Sequence, residues 1–256
     1  VNVVILAGGL GTRLGEETEV RPKPMVEIGG RPILWHILKL YHHHGYHRFY
    51  IALGYKGEVI KRYFLDYAAM SGSLRVNTAR NAVMPLGHPP EDWDLHLIDT
   101  GPTSHTGGRV RRMAEYLKGD TFMVTYGDGV ADVDLKALLA FHRKQGKIAT
   151  ITAVRPPARF GGLLFDGDSV AQFTEKPQAG EGWINGGFLV CEPAIFDYLI
   201  NDSTSLEAET LEKLAAAGQL AAYKHNGFWQ CMDTLRDKKI LEELWQQGQP
   251  PWKVWT

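Results

Sequence analysis

The chain has 256 residues, with 28 lysines and arginines against 29 aspartates and glutamates and a formal net charge of -1. That length holds one large α/β domain or two small ones. The near-neutral balance gives no global attraction to nucleic acid or to an anionic membrane, so any polyanionic ligand must be met by a local cluster of charge.

No apolar run reaches the length of a membrane span, and the opening VNVVILA is too short for a signal-peptide core and lacks a basic leader. Two cysteines, Cys191 and Cys231, stand far apart and outside any metal-ligand spacing, which argues against a disulfide framework. A soluble cytoplasmic protein is expected.

In chain order, Val3 to Ala7 is a short apolar, β-branched run ending in Gly-Gly, which predicts a buried parallel strand. Pro32 stands at a helix start, and ILWHILKLYHHHGY keeps helical spacing until Gly45 stops it. RFYIAL (48–53) reads as the second strand and GEVIKRYFLDYAA as the second helix. This alternation implies right-handed crossovers and a parallel sheet.

Residues 71–102 are less regular, with prolines at 85, 89, 90 and 102, and LHLID (95–99) is a strand within them. GGRVRRMAEYLKG then reads as helix, TFMVTYGDG as a buried strand running into a loop, and DLKALLAFHRKQG as helix. After Lys147 the pattern changes to strands joined by turns: IATITAV, GLLFD, SVAQFTE and INGGFLVCE. Helices follow around 194–200, 206–217 and 234–247. One continuous α/β domain is predicted, its second half richer in antiparallel strands.

The first strand ends in Gly8-Gly9-Leu10-Gly11-Thr12-Arg13. Bare backbone there can approach a ligand closely, and successive N–H groups form an anion-binding nest. The dinucleotide fingerprint fails, since counting from Gly9 puts Leu14 at the third glycine, and no Walker lysine with Ser or Thr follows. What distinguishes this loop from an ordinary glycine turn is the guanidinium of Arg13 and then Lys23, held between Pro22 and Pro24.

Asp128 lies between two glycines at the carboxyl end of a strand, the edge where open α/β sheets bind ligands, and its oxygens suit a hard divalent cation. Asp233, in FWQCMDT, is a second candidate, with N-capping of the following helix as the alternative. Asp132-Val133-Asp134 precedes a helix and reads more simply as its cap than as a metal motif. His42, His43 and His44 end a helix with no cysteine or carboxylate to complete a zinc set.

LAGGLGTRL followed by RPKPM, with YGDG, FTEKP and INGGF downstream in order, resembles the signature of the sugar-1-phosphate nucleotidyltransferases across essentially the whole chain. The stretch DTGPTSHTGGRVRR, FWQCMDTLRDK and the tail PPWKVW are similar to the branch that takes CTP and glucose 1-phosphate. Arg21 replaces a commoner lysine with the charge kept, and SHTGGR stands where thymidylyl and uridylyl relatives carry a glutamine-containing stretch.

The resemblance implies a Rossmann-like α/β fold: a mixed, mostly parallel sheet flanked by helices, with a smaller antiparallel sugar-binding portion. It implies one domain over 1–256, with 1–147 as the nucleotide half and 148–256 as the sugar-phosphate half with the C-terminal helices. Leu6, Ala7, Gly8, Gly9, Gly11, Thr12 and Arg13 would wrap the nucleotide, helped by Ser104, Gly107 and Arg109. Lys23 would meet the reacting phosphate, and Asp128 and Asp233 would hold Mg2+. Lys176 would receive the sugar phosphate, with Glu175, Asn185 and Gly186 along the sugar pocket.

Arg13, Lys23, Asp128 and Lys176 would carry catalysis without a side-chain nucleophile. The implied route leads to dideoxyhexoses of bacterial surface polysaccharide. The implied assembly is a homo-oligomer, with Trp245, Trp252 and Trp255 packing either on a partner or back on the domain. The nearest alternative is the same chemistry with UTP, dTTP or another sugar 1-phosphate. Of other classes, a glycosyltransferase would release no pyrophosphate, and a non-catalytic sensor would lack the basic or acidic pair, all of which is present.

Overall fold

Val3, Val4, Ile5, Leu6 and Ala7 are all buried, as a strand covered on both faces must be. Alternate residues point to opposite faces: Val3, Ile5 and Ala7 enter one apolar core, Val4 and Leu6 the other. The structure, a computed structural model, describes residues 1–87, 91–117, 119–156, 162–166, 169–174 and 182–255.

The central sheet has seven strands: β1 (Asn2–Ala7), β2 (Arg48–Leu53), β3 (Asp94–Asp99), β4 (Phe122–Tyr126), β5 (Ala149–Val154), β6 (Ile184–Cys191) and β7 (Leu220–His225). Their spatial order is β7-β5-β6-β4-β1-β2-β3. β1 pairs in parallel with β2 and β4, β2 with β3, and β5 with β7, while β6 runs antiparallel to both β4 and β5. The sheet is therefore mixed and mostly parallel, and its first four strands share one carboxyl edge.

Helices α1 (Ile33–His43), α2 (Gly57–Met70), α4 (Leu135–Gln145) and α5 (Leu235–Gln246) contribute to the core on the first face. The second face is covered by α3 (Thr106–Arg111), a turn of helix at Ala114–Leu117 and the segment 193–216. The expected single helix over 107–119 is thus broken. The run expected around 194–200 is a 3-10 helix, Pro193–Tyr198, and that from 206 opens as a π-helix, Leu206–Leu211, before one α turn, Glu212–Ala216. The irregular stretch after Ser71 holds an exposed antiparallel ribbon, Ser73–Asn77 with Ala82–Leu86, which periodicity alone did not predict.

Asp134 caps α4, its Oδ1 accepting from the backbone N–H groups of Lys136 and Ala137 at 2.9 Å each. Asp132 Oδ1 lies 2.9 Å from His225 Nε2, away from the cavity, so this acidic pair sits with the fold and not with the site. The tail folds back on its own domain: Trp252 and Trp255 are buried around His36, with Trp252 stacked on Phe228 and Trp245.

One short pairing matters more for the site than its size suggests. Gly129–Ala131 pairs antiparallel with Trp229–Cys231, and the Met232 N–H donates to the Asp128 carbonyl at 2.8 Å. Two segments a hundred residues apart are thereby clamped so that Asp128 and Asp233 emerge side by side.

Candidate active site

A cavity of about 920 Å³ opens at the shared carboxyl edge of β1 and β4. Its floor is Leu6 to Gly11, where β1 has run out into the glycine loop. Gly11 adopts a φ of +65°, and a Cβ there would stand 2.9 Å from the Thr18 side chain and 3.0 Å from Lys23 Cβ, so only glycine lets the loop close on the lysine. Leu14, fully buried, anchors the loop's far end.

Lys23 begins a 3-10 turn, Lys23–Met25, whose Pro24 is buried. Its Nζ donates to Asp128 Oδ2 at 2.6 Å and to Asp233 Oδ1 at 2.9 Å. Arg13 Nη1 donates to Asp233 Oδ2 at 2.5 Å. Burial disfavours the Lys23 ammonium, but the two carboxylates outweigh burial and raise its pKa above the ordinary lysine value. Burial likewise raises Asp233, and Lys23 and Arg13 overturn that and lower it. The Lys23 side chain is only 12% exposed while that of Arg13 is 75% exposed, so the lysine is enclosed and the arginine, though paired with Asp233, stands open to an arriving ligand.

Asp233 does not cap α5. Thr234 is the cap, in a reciprocal box with Asp237, whose Oδ2 accepts from the backbone N–H groups of both Asp233 and Thr234. With capping delegated one residue onward, the Asp233 carboxylate faces the lysine. One ammonium touches both acids, so a single cation can bridge them. Two carboxylates with room for phosphate oxygens are a donor set that suits a small divalent cation. Among the described residues no three His, Cys, Asp or Glu side chains gather as a metal cluster, so a bound nucleotide would have to supply the remaining ligands.

Arg109 is buried beneath the loop and turns its guanidinium to main-chain oxygens. Nη1 donates to the carbonyls of Leu53 at 3.0 Å and Gly101 at 2.9 Å and to Thr100 Oγ1 at 2.7 Å, and Nη2 donates to the Gly8 carbonyl at 3.1 Å. It staples the ends of β1, β2 and β3 at one point. Burial and the neighbouring Arg112 lower its pKa from the usual arginine value. A Cβ at Gly8 would lie 2.2 Å from Nη1, so the glycine admits the guanidinium as well as a ligand.

The cavity thus gathers Leu6, Ala7, Gly8, Gly9, Gly11, Arg13, Lys23, Ser104, Arg109, Asp128 and Asp233 of the expected residues. Thr12 continues the same loop, with its side chain outside the described residues. Gly107 does not line the cavity; a Cβ there would meet the Thr204 carbonyl at 2.7 Å, so its role is packing. Asn185 and Gly186 also lie off the lining, at the start of β6, where Asn185 Oδ1 accepts from Gly187 N–H and the Gly186 carbonyl accepts from Trp229 Nε1. Glu175 and Lys176 lie outside the described residues.

Ser205 and Glu207 line the cavity from outside every motif quoted above, and Thr106 and Tyr126 line it from within SHTGGR and YGDG, where no role was expected of them. Tyr126 and Thr106 both donate to Glu207, across 81 and 101 residues. No local pattern announces such a cluster.

A family model described as nucleotidyl transferase matches residues 2–237. The chain is 53% identical over 256 residues, the whole of both chains, to a glucose-1-phosphate cytidylyltransferase of Salmonella typhi. It is 43% identical, again over the whole of both, to a Bacillus subtilis protein described as a probable glucose-1-phosphate cytidylyltransferase. Among solved structures, HddC from Yersinia pseudotuberculosis complexed with GMP-PN superposes with a TM-score of 0.70 at 25% identity, over 95% of this chain and 99% of that one.

Proposed function

The chain belongs to the nucleotidyl transferase family, and we propose that it transfers the cytidylyl group of CTP to α-D-glucose 1-phosphate, forming CDP-glucose and pyrophosphate. The observation that carries the chemistry is Lys23 shared between Asp128 and Asp233 at the mouth of the glycine loop. The choice of cytosine and glucose is supported by the full-length identity to the Salmonella enzyme.

In this reaction a phosphate oxygen of glucose 1-phosphate attacks the α-phosphorus of CTP, and the bond to the β-phosphate breaks as pyrophosphate leaves. Both reactants are anions, and two unit charges at contact distance repel by about 4 kcal/mol at an effective dielectric of 20. The protein's task is to cancel that repulsion and hold attacker and leaving group in line. The loop N–H groups from Gly8 to Gly11 and the exposed Arg13 would receive the β- and γ-phosphates as charge moves onto the leaving group. Lys23, held by Asp128 and Asp233 at the mouth of the loop, would draw the two phosphates together as a point charge.

Asp128 and Asp233 would hold a divalent cation, which we take to be magnesium; when bound it supplies charge neutralisation on the nucleotide oxygens. Lys176 and Glu175 would complete the sugar-phosphate side. The proposal extends to a homo-oligomeric, cytoplasmic enzyme that supplies activated sugar for dideoxyhexose synthesis. Support for assembly comes from the ribbon at 73–86, which exposes Val76, Val83, Met84 and Leu86. Among the described residues no helix is long and apolar enough to cross a membrane.

Pyrophosphate release with glucose 1-phosphate and magnesium, compared across CTP, UTP, dTTP, ATP and GTP, tests the assignment. Release with CTP far above the others is expected. Preference for another nucleotide would keep the reaction and overturn the base, and no release with any sugar phosphate would overturn the reaction.

A further inference from the structure

The cavity carries a carboxylate that the phosphate chemistry leaves unused. Glu207 lies in the π-helix Leu206–Leu211, half-buried, beside α3 and the end of β4. Its Oε1 accepts from the Tyr126 hydroxyl, and its Oε2 accepts from Thr106 Oγ1 at 2.6 Å and from Ser205 Oγ at 3.0 Å.

An ionised carboxylate can only accept, so each of these three hydroxyls commits its hydrogen to Glu207. Thr106 Oγ1 in turn accepts from the Leu206 N–H at 3.0 Å, and Ser205 Oγ from the Ala208 N–H at 3.1 Å. Ser104, farther along the same wall, gives its hydrogen to the Thr100 carbonyl at 2.5 Å. The hydroxyl groups of this wall therefore turn lone pairs, and no hydrogens, towards a ligand. A carboxylate has about four acceptor directions, and three at Glu207 are filled.

Apart from the exposed His105, which also lines the cavity, such a wall selects a group that donates without accepting. Phosphate oxygens only accept and are turned away towards Lys23 and Arg13. A sugar hydroxyl does both and is poorly discriminated. The exocyclic amine of cytosine donates two hydrogens, and its nitrogen lone pair is drawn into the ring. Uracil and thymine place a carbonyl oxygen at that same ring position, lone pair against lone pair.

The wall also stands at the nucleotide end: Ser104 and Thr106 line the cavity with the glycine loop, whereas Asn185 and Gly186 of the sugar side do not. We propose that Glu207 reads the base, accepting a hydrogen bond from the cytosine amine and rejecting uracil and thymine. The inference rests on the cytidylyl reading above.

The test compares kcat/KM for CTP and UTP, with glucose 1-phosphate and magnesium, in wild type and Glu207→Gln, alongside calorimetric affinities for CMP and UMP. A Gln side chain brings an amide donor to the wall, so the CTP-to-UTP ratio should fall by about tenfold or more, and the CMP-to-UMP ratio with it. A structural role alone would lower both nucleotides together and leave the ratios unmoved, which would overturn the inference. Glu207→Asp, with the carboxylate withdrawn by one methylene, gives a second measurement should the Gln variant not fold, and it should shift the ratios in the same direction. Failure of the cytidylyl reading shows separately, as a wild type that does not prefer CTP.

Discussion

Lys23 holds Asp128 and Asp233 with one ammonium, at 2.6 and 2.9 Å, so under the proposed function the group meant for phosphate and the groups meant for metal neutralise one another until substrate arrives. Phosphate and metal each have to displace part of this triad. On that reading, nucleotide that draws Lys23 and Arg13 away leaves the acids ready for a cation, and the two ligands should bind with positive coupling.

Lys23→Met separates these roles. Turnover should fall by about a hundredfold or more, since a preorganised charge at the reacting phosphate is lost. Manganese affinity in the absence of nucleotide, followed by electron paramagnetic resonance, should instead rise by about tenfold, because two acids lose their internal counter-ion. Weaker manganese binding in this variant would show that the lysine does not compete for the acids. Asp128→Asn should abolish both manganese binding and turnover.

Arg109 is a keystone for the loop, bonded to the carbonyls of Gly8, Leu53 and Gly101. Arg109→Lys keeps the charge but cannot span three strand ends with one ammonium. Nucleotide affinity should fall by about tenfold or more, with a loss of about 2 kcal/mol in unfolding free energy from carbonyls left without donors. Gly8→Ala should reproduce the affinity loss by pushing the guanidinium aside. Calorimetry with CTP and urea titrations measure both effects, and unchanged affinity in either variant would mean that Arg109 does not hold the loop for nucleotide.

His36 gives the protein an acid-sensitive core. Its Nε2 donates to the Ile28 carbonyl at 2.9 Å and its Nδ1 accepts from Trp252 Nε1 at 3.3 Å, an arrangement that requires the neutral ring. Burial lowers its pKa to about 4, from 6.5 in the unfolded chain. The unfolded state therefore binds the proton more readily, so stability is fully present above pH 6.5 and is lost as pH falls towards 4, by up to about 3 kcal/mol. Urea midpoints measured from pH 7.5 to 4.5 should show this slope, and His36→Gln should flatten it.

Thr234 and Asp237 decide where Asp233 points. Thr234→Ala removes the side-chain cap of α5 and should cost about 1 kcal/mol of stability. Turnover should drop further than that loss explains, because the turn that aims Asp233 loosens. A variant with lower stability and full turnover would mean that Asp233 is aimed by Lys23 and Arg13 alone.

What the sequence made legible was local grammar. A β-branched run, the glycines at 8, 9 and 11, and the cations Arg13 and Lys23 suggest an anion-binding loop, because every part lies on one strand–turn unit. Asp128 was legible from its position at a strand's carboxyl end. Asp233 was legible only as a choice between cap and ligand, and the hydroxyl of Thr234 removes the cap from that choice. Glu207 was illegible: beside Glu209 and Glu212 it looks like any acid on a solvated helix face, and its meaning comes from Tyr126 and Thr106 far along the chain. Arg109 was placed by resemblance at the nucleotide, while its bonds turn out to run to the backbone that holds the loop.

The pairing of Gly129–Ala131 with Trp229–Cys231 makes the acids neighbours, and Arg13 reaches Asp233 across 220 residues. Nothing nearer in the chain can stand in for that closure. During refolding, helices such as α1 can form early from local contacts, but the long-range closure must wait for distant segments to meet. Recovery of turnover should therefore lag behind recovery of helical signal, and partly folded chains would display a bare positive loop that grips polyphosphate without consuming it. The enzyme's activity reports whether its two ends have found each other.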